Sequence, residues 1–428
     1  MRDRSEFIGN NPLELIGHDY NVNIVDTPPK NDTYFNKVYA AFVEFDIPIL
    51  DTVAAQVAVR HERFQDFGLD ATTPKVSVRW EITPELALRG SWGESFLAPT
   101  ATQSRPYDPN EGCSEVFFGL DELTGGQLTG AAGCSSGNPN LAPETSVMSN
   151  IGFTWEPGGA LDGVSASLDY QTIEYTDRIR TLSNTETANV QFTRMLQAIG
   201  SSEAAYDPTP GSATRIAANT WLATQDNTGA SGIIRDTSNQ QVLRVISQAN
   251  NISTVWIDLL DAKVDYRLST DNWGTFATGL NVSYFTKYEY EDLFGGVQDA
   301  LGKQNANSGV VPPLPKFKAN LRGNWFMGNH SASLTAAYQH TVLFDDNTNN
   351  LFSNFPADRT IEGQTIWNAQ YGYIMNDFFG SEVVLSGGIR NLTNRQPQRL
   401  PILGGFESRL QQPWGRQFWM SIDWTPSF

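Results

Sequence analysis

Apolar and polar positions alternate along most of this chain. In 53–63, Val53, Ala55, Val57 and Val59 fall on one face, while Gln56, Arg60 and Glu62 fall on the other. In 74–83 the apolar face is Val76, Val78, Trp80 and Ile82, set against Lys75, Ser77, Arg79 and Glu81. The segments 317–325 (Phe317, Ala319, Leu321, Trp325 against Lys318, Asn320, Arg322, Asn324) and 332–340 (Ala332, Leu334, Ala336, Tyr338 against Ser333, Thr335, Gln339) repeat the pattern. A period of two places successive side chains on opposite faces of a strand, so these segments predict strands with one apolar face. Many run to about ten residues, longer than the usual five or six of globular sheets. That is the length a tilted strand needs to cross a bilayer, about 9–11 residues.

The connections between the strands alternate too. "NDFFG" (376–380), "MGNH" (327–330), "STDNW" (269–273), "EPGGAL" (156–161) and "TPE" (83–85) are tight turns. Between them lie long polar stretches at 391–413, 341–363, 290–314, 177–252 and 97–144. A soluble sandwich has no reason to gather its long loops at one end. Outer-membrane barrels do, with short periplasmic turns and long extracellular loops. The pattern predicts thirteen strands, near 36–48, 52–64, 73–83, 85–97, 145–156, 162–176, 253–268, 274–289, 315–326, 331–341, 364–375, 381–390 and 414–426. "QVLRVISQAN" (241–250) is read as part of the 177–252 loop, as a strand extension above the membrane. Single-chain bacterial barrels have even strand numbers, so thirteen points to part of a larger barrel.

Composition fits this picture. Of 428 residues, 29 are Lys or Arg and 47 Asp or Glu, a formal net charge of −18, and only 18% are charged. Mean hydropathy is −0.34. No stretch approaches the roughly 18 apolar residues of a membrane helix, and so acidic a chain is ill suited to nucleic acid, whose phosphates need Lys and Arg clusters. A membrane β-barrel passes both tests, since lipid-facing and lumen-facing residues alternate. Residues 1–20 carry no apolar core and no small-residue cleavage site, so they do not form a secretory signal. The two cysteines, Cys113 and Cys134, lie in a Gly- and Ser-rich stretch. They are compatible with one loop disulfide in an oxidising compartment, or with two free thiols. At the C-terminus Phe418, Met420, Ile422, Trp424 and Phe428 share one face. A strand that runs to the last residue must be paired to stay ordered, as a barrel's closing strand is.

Several ordered motifs resemble the barrel of TonB-dependent outer-membrane receptors. They are "LALRGSWGESFLAPT" (86–100), "GNPNLAPETSVMSNIGFTWEP" (137–157), "SLDYQTIEYTDRIRTL" (167–182), "GGIRNLTNRQPQ" (387–398) and "WGRQFWMSIDWTPSF" (414–428). The resemblance covers residues 36–428. It implies an all-β fold, an antiparallel transmembrane β-barrel of 22 strands with a plugged lumen, of which the thirteen here are the last. Residues 1–35 would be the remnant of an extracellular loop, and the plug domain, TonB box and signal peptide would be absent. The resemblance also implies that the C-terminal face (Phe418, Met420, Ile422, Trp424, Phe428) is the signal read by the barrel-assembly machinery. It implies a bacterial outer-membrane location, with lipid around the barrel and TonB engaged through the absent N-terminal region.

The same resemblance makes the chain a receptor for a scarce nutrient such as a siderophore, corrinoid or oligosaccharide, imported with TonB-transmitted energy. Ligand capture then belongs to the extracellular loops. The 97–144 loop, with Tyr107, Phe117 and Phe118 and a Cys113–Cys134 clamp, is the leading candidate. A passive porin-like barrel is the alternative. A secreted all-β carbohydrate-active enzyme is the third reading, but a propeller should repeat at blade spacing and no such period occurs. No catalytic, cofactor or metal motif stands out. His18, His61, His330 and His340 are scattered, with His330 and His340 near opposite ends of one strand at interfacial positions. Asp345 and Asp346 read as a solvated loop. The inner face is expected to carry Lys75, Arg79, Glu81, Arg89, Lys263, Asp265, Arg267, Lys318 and Arg322, in contact with water, a plug or a polar ligand.

Overall fold

The computed structural model describes residues 2–6, 33–104, 113–114, 120–127, 132–225, 232–306, 308, 310–345, 359–378, 380–402 and 405–425. All thirteen expected strands lie in one antiparallel sheet. In chain order they are Thr33–Leu50, Val53–Phe64, Leu69–Thr83, Leu86–Leu97, Glu144–Trp155, Val164–Thr176, Val255–Thr270, Gly274–Glu291, Phe317–Met327, His330–Gln339, Gln364–Phe378, Ser381–Arg390 and Gln417–Thr425. Neighbours in sequence are neighbours in the sheet throughout. Two short strands join it that the alternation does not predict. Arg2–Glu6 pairs with Thr33–Lys37, and Val297–Asp299 pairs with Glu289–Glu291, so the sheet has fifteen strands. Most of the expected loop remnant 1–35 lies outside the described residues.

The tight turns at 51–52, 84–85, 156–163, 271–273 and 328–329 all sit at one end of the sheet, and the five long connections leave from the other. Register keeps the two faces distinct, as a one-residue slip would turn every apolar side chain inward. Along the outer face Val57 lies opposite Val76 and Trp80 opposite Leu88. On the closing strand Phe418, Met420, Ile422 and Trp424 are 63–79% exposed. Phe428 lies outside the described residues.

The dry interior is not where a soluble sheet protein keeps it. Four buried apolar clusters occur among the described residues. All are built from the long connections and the strand ends that enter them. The largest joins Leu123, Phe192, Met195, Leu196, Ala218 and Leu222. The middle of the sheet has an apolar outside and a polar inside, the section of a wall between lipid and water.

Here the structure corrects the reading of 177–252 as a long polar loop. The segment contains the helices Asn184–Ile199 and Ala213–Leu222. Val242–Asn251 is no extension of the barrel wall; it is the centre of a separate five-stranded sheet.

Candidate functional site at the loop end and inner wall

The helix Asn184–Ile199 begins with a capping box. Ser183 Oγ accepts from the Glu186 amide (3.2 Å), and the Glu186 carboxylate accepts from the Ser183 amide (2.9 Å). It ends at Gly200, whose φ of 67° is the left-handed turn that glycine takes without strain. Its apolar side packs on the second helix, capped by Ser212 Oγ accepting from the Arg215 amide at 3.1 Å.

This helical unit is tied to the 97–144 loop. Ala132–Ser136 runs parallel to Val242–Asn251, with Ala132 opposite Arg244 and Ser136 opposite Gln248. On its other edge Cys113–Ser114 pairs antiparallel, with Cys113 opposite Cys134. Cys134 is disulfide-bonded. The short hairpin at 120–127 inserts Leu123 among the helices, and the Leu123 carbonyl accepts from Tyr206 Oη (2.7 Å) and from the Arg215 guanidinium.

Beside it Arg235 and Asp121 form an ion pair 5–6% exposed. Arg235 donates to both carboxylate oxygens of Asp121 (2.7 and 2.9 Å), to Gln191 Oε1 (2.9 and 3.0 Å) and to the Gln240 carbonyl (2.9 Å). Thr124 Oγ1 donates to Asp121 as well, at 2.6 Å. Burying two charges is tolerable only when hydrogen bonds satisfy them so fully. Tyr107, Phe117 and Phe118 lie outside the described residues.

A second brace joins the later loops. The Glu407 carboxylate, 4% exposed, accepts from Gln304 Nε2 (2.7 Å), Arg409 Nε (2.8 Å) and Arg409 Nη2 (2.9 Å). Burial pushes the carboxyl up, but the hydrogen bonds from Arg409 and Gln304 outweigh it and hold Glu407 below its ordinary range. A depressed carboxyl contributes stability above its unfolded value, and that contribution is lost as pH falls through the folded one. Amide exchange around Gln304 is therefore expected to speed up as pH drops below about 4.3, after correction for intrinsic rates. Glu407→Gln should remove the pH dependence; an unchanged profile in the variant would contradict the assignment.

On the inner wall several of the expected charged residues pair, some across strands and some along one strand. The Arg89 guanidinium meets Asp169, whose side chain is 8% exposed. Gly152 lies between their strands, and its missing Cβ leaves the space the Asp169 carboxylate fills. The same device recurs at Gly279, opposite Asp265 and Arg322, which are 3.4 Å apart. Lys263 reaches Asp265 at 2.7 Å, and Arg79 reaches Glu81 at 3.4 Å. Asp261 accepts from Gln171 (3.1 Å) and Ser283 (2.5 Å). At the short-turn end His330 Nδ1 is 2.5 Å from Tyr371 Oη and its ring 4.9 Å from that of Tyr373, an outward-facing aromatic group suited to an interfacial girdle. His340, at the other end of this strand, contacts Tyr338 Oη at 3.0 Å.

Towards the loop end the wall hollows into a concavity of about 960 Å³. Its floor is four neighbouring strands between Phe317 and Arg390, its far side the closing strand, and its rim the segment 410–415.

A single long antiparallel sheet, apolar outside and polar inside, with every large loop at one end, defines a membrane β-barrel wall. Residues 3–392 match the family described as TonB dependent receptor-like, beta-barrel. The chain belongs to that family, and its sheet sits in the bacterial outer membrane. No curated protein matches it. Among solved structures it is similar to a variant of the ferric enterobactin receptor PfeA of Pseudomonas aeruginosa (15% identity, TM-score 0.60, covering 92% of this chain and 45% of that one). It is also similar to the siderophore receptor PirA of Acinetobacter baumannii (15%, 0.59, 92% and 46%) and the outer membrane transporter YddB of Escherichia coli (11%, 0.58, 92% and 46%). Identities this low speak for the fold alone. The chain spans a little under half the length of these structures.

Proposed function

We propose that this chain forms the barrel wall and loop cap of an outer-membrane receptor that binds a scarce nutrient and imports it with energy transmitted by TonB. The nutrient classes in play are siderophores, corrinoids and oligosaccharides. The observation that carries the reading is the cap: loops some 110 residues apart in sequence are joined by the buried Arg235–Asp121 pair above a polar inner wall. Loops braced so firmly hold a binding surface in place, which a passive pore does not need.

In this reading the thirteen long strands are the last thirteen of a 22-stranded barrel, a count supported by the share of the related structures that the chain covers. The Cys113–Cys134 bridge limits the motion of the 97–144 loop, whose Tyr107, Phe117 and Phe118 contact ligand. The barrel-assembly machinery reads the closing strand through Phe418, Met420, Ile422, Trp424 and Phe428. The protein performs no reaction of its own.

Uptake of labelled ferric catecholate, cobalamin and a uronic-acid oligomer by receptor-expressing cells, with and without TonB, tests this. Accumulation of one of them only when TonB is present is expected. Equal accumulation without TonB would establish a passive barrel instead.

A further inference from the structure

We infer that the helical part of the cap turns as one body about a two-residue joint, Asp177 and Ser253, and that Asn251 is the clasp holding its resting position. Such a joint is independent of which nutrient the receptor takes. The wall strands Val164–Thr176 and Val255–Thr270 stay paired as far as Tyr175 opposite Val255. The same two chain segments pair again inside the cap, from Ile179 opposite Asn251 to Thr181 opposite Ala249. Between these ladders two backbone bonds hold the ribbon. The Ile252 amide donates to the Arg178 carbonyl (2.9 Å), and the Arg178 amide to the Ser253 carbonyl (3.3 Å).

The backbone departs from strand geometry at this break. Asp177 (φ 56°) and Ser253 (φ 84°) both lie in the left-handed region, which residues with a Cβ occupy only at a cost. Relaxing either one toward ordinary backbone lowers that strain and re-aims the ribbon. Hinges are built in this way, from a few residues at element ends that absorb a change in φ and ψ.

The contacts around the joint divide into those that anchor the pivot and those that set the angle. Ser253 Oγ donates to the Glu291 carbonyl (2.6 Å) and the Arg178 guanidinium to the Val310 carbonyl, which fastens the pivot to the 290–314 loop. Asn251 stands on the cap side. Its Nδ2 donates to the carbonyls of Asp177 (2.8 Å) and Ala142 (2.9 Å), and its Oδ1 accepts from the Ala142 amide (2.8 Å). One side chain thus ties the cap to the joint and to the root of the neighbouring 97–144 loop. Glu144, 7% exposed, adds a single bond by accepting from the Ile179 amide at 2.6 Å.

Above the joint the cap is braced as one unit by the Arg235–Asp121 pair, the apolar cluster around Leu123 and the parallel pairing of Ala132–Ser136 with Val242–Asn251. Ala132–Ser136 therefore moves with it. The return at 137–143, which contains no strand or helix, takes up the displacement. The helix Asn184–Ile199 starts just beyond the upper ladder, and its 16 residues span about 24 Å. A turn of about 15° at the joint carries the far end of such a helix by about 6 Å.

Spin labels on Glu203→Cys, beyond that helix, and Asp70→Cys, on the wall, read the cap's position as a distance in the full receptor in lipid nanodiscs. Both sites are exposed, and Cys134, being disulfide-bonded, takes no label. One distance is expected in the parent. Asn251→Ala should add a second, displaced by about 5 Å or more. Ser253→Val should do the same, because a β-branched residue is a poor fit to positive φ. Asn250→Ala should keep the single distance, since the Asn250 amide donates within its own strand, to the Gln248 carbonyl (3.0 Å). Hydrogen exchange in 184–199 should stay protected throughout, the mark of a cap that turns without melting. One unchanged distance in both Asn251→Ala and Ser253→Val would overturn the inference. So would a second distance that appears only with lost protection in 184–199, or an equal response to Asn250→Ala.

Discussion

Arg235→Met is expected to release the 120–127 hairpin from the two helices while leaving the barrel wall intact. The substitution keeps most of the side-chain volume but strands the Asp121 carboxylate, almost fully buried, with Thr124 as its remaining side-chain donor. Breaking a buried pair in this way costs roughly 3–5 kcal/mol, because the remaining charge loses its compensation. The cost falls on the cap, since no strand of the long sheet contributes to the pair. Hydrogen exchange should therefore lose protection in 120–127 and 184–199, with exchange in 317–339 unchanged and heat-modifiable migration retained. Adding Asp121→Leu should restore part of the protection, as apolar replacements of buried pairs often do. Full protection in Arg235→Met would show that the apolar contacts around Leu123 hold the hairpin without the pair.

The second large effect separates adjacent residues of one strand. Met420 faces outward and is 79% exposed. Its neighbour Ser421 faces the lumen, where its hydroxyl donates to Asp423 Oδ2 at 3.0 Å. An arginine at Met420 must enter hydrocarbon, which costs about 2–4 kcal/mol near the bilayer midplane. An arginine at Ser421 meets water and an acidic neighbour, and should cost less than about 1 kcal/mol, as exposed substitutions ordinarily do. Urea-driven unfolding in lipid vesicles reads the difference. Equal losses at the two positions would mean that the outer face of this strand is not against lipid.

The two predictions also mark what could be read from the sequence. The wall was legible because lipid imposes a rule on every second residue. Val76, Val78, Trp80 and Ile82 announce a strand whatever surrounds them, and all thirteen such segments are in the sheet. The cap obeys no such rule. Its helix at Asn184–Ile199 did leave a signal: Ser183-x-x-Glu186 is a capping box, Phe192, Met195, Leu196 and Ile199 repeat at helical spacing, and Gly200 ends the run. A search for period two passes over period 3.6, and the polar flanks made 177–252 look like one long loop.

Other features had no local signal at all. The parallel pairing of Ala132–Ser136 with Val242–Asn251 joins segments more than a hundred residues apart, and nothing in either names the other. The inner-wall amides are ordinary lumen residues one at a time. Only register sets Gln370 beside Gly388 and Trp419. Charged lumen residues were legible as a class, whereas the glycines that make room for Asp169 and Asp265 were not.

The placement of the apolar clusters has a further consequence. A wall with no dry interior borrows its hydrophobic stabilisation from the membrane, whereas the cap carries Leu123, Met195, Val245 and their neighbours as a core of its own. The molecule is thus two materials fused at the strand ends, each answering to a different solvent. Lipid thickness and detergent choice act on the first, while temperature and denaturant in the surrounding water act most directly on the second. Mutational drift in the cap is then free to reshape the loop surface without disturbing how the wall is anchored.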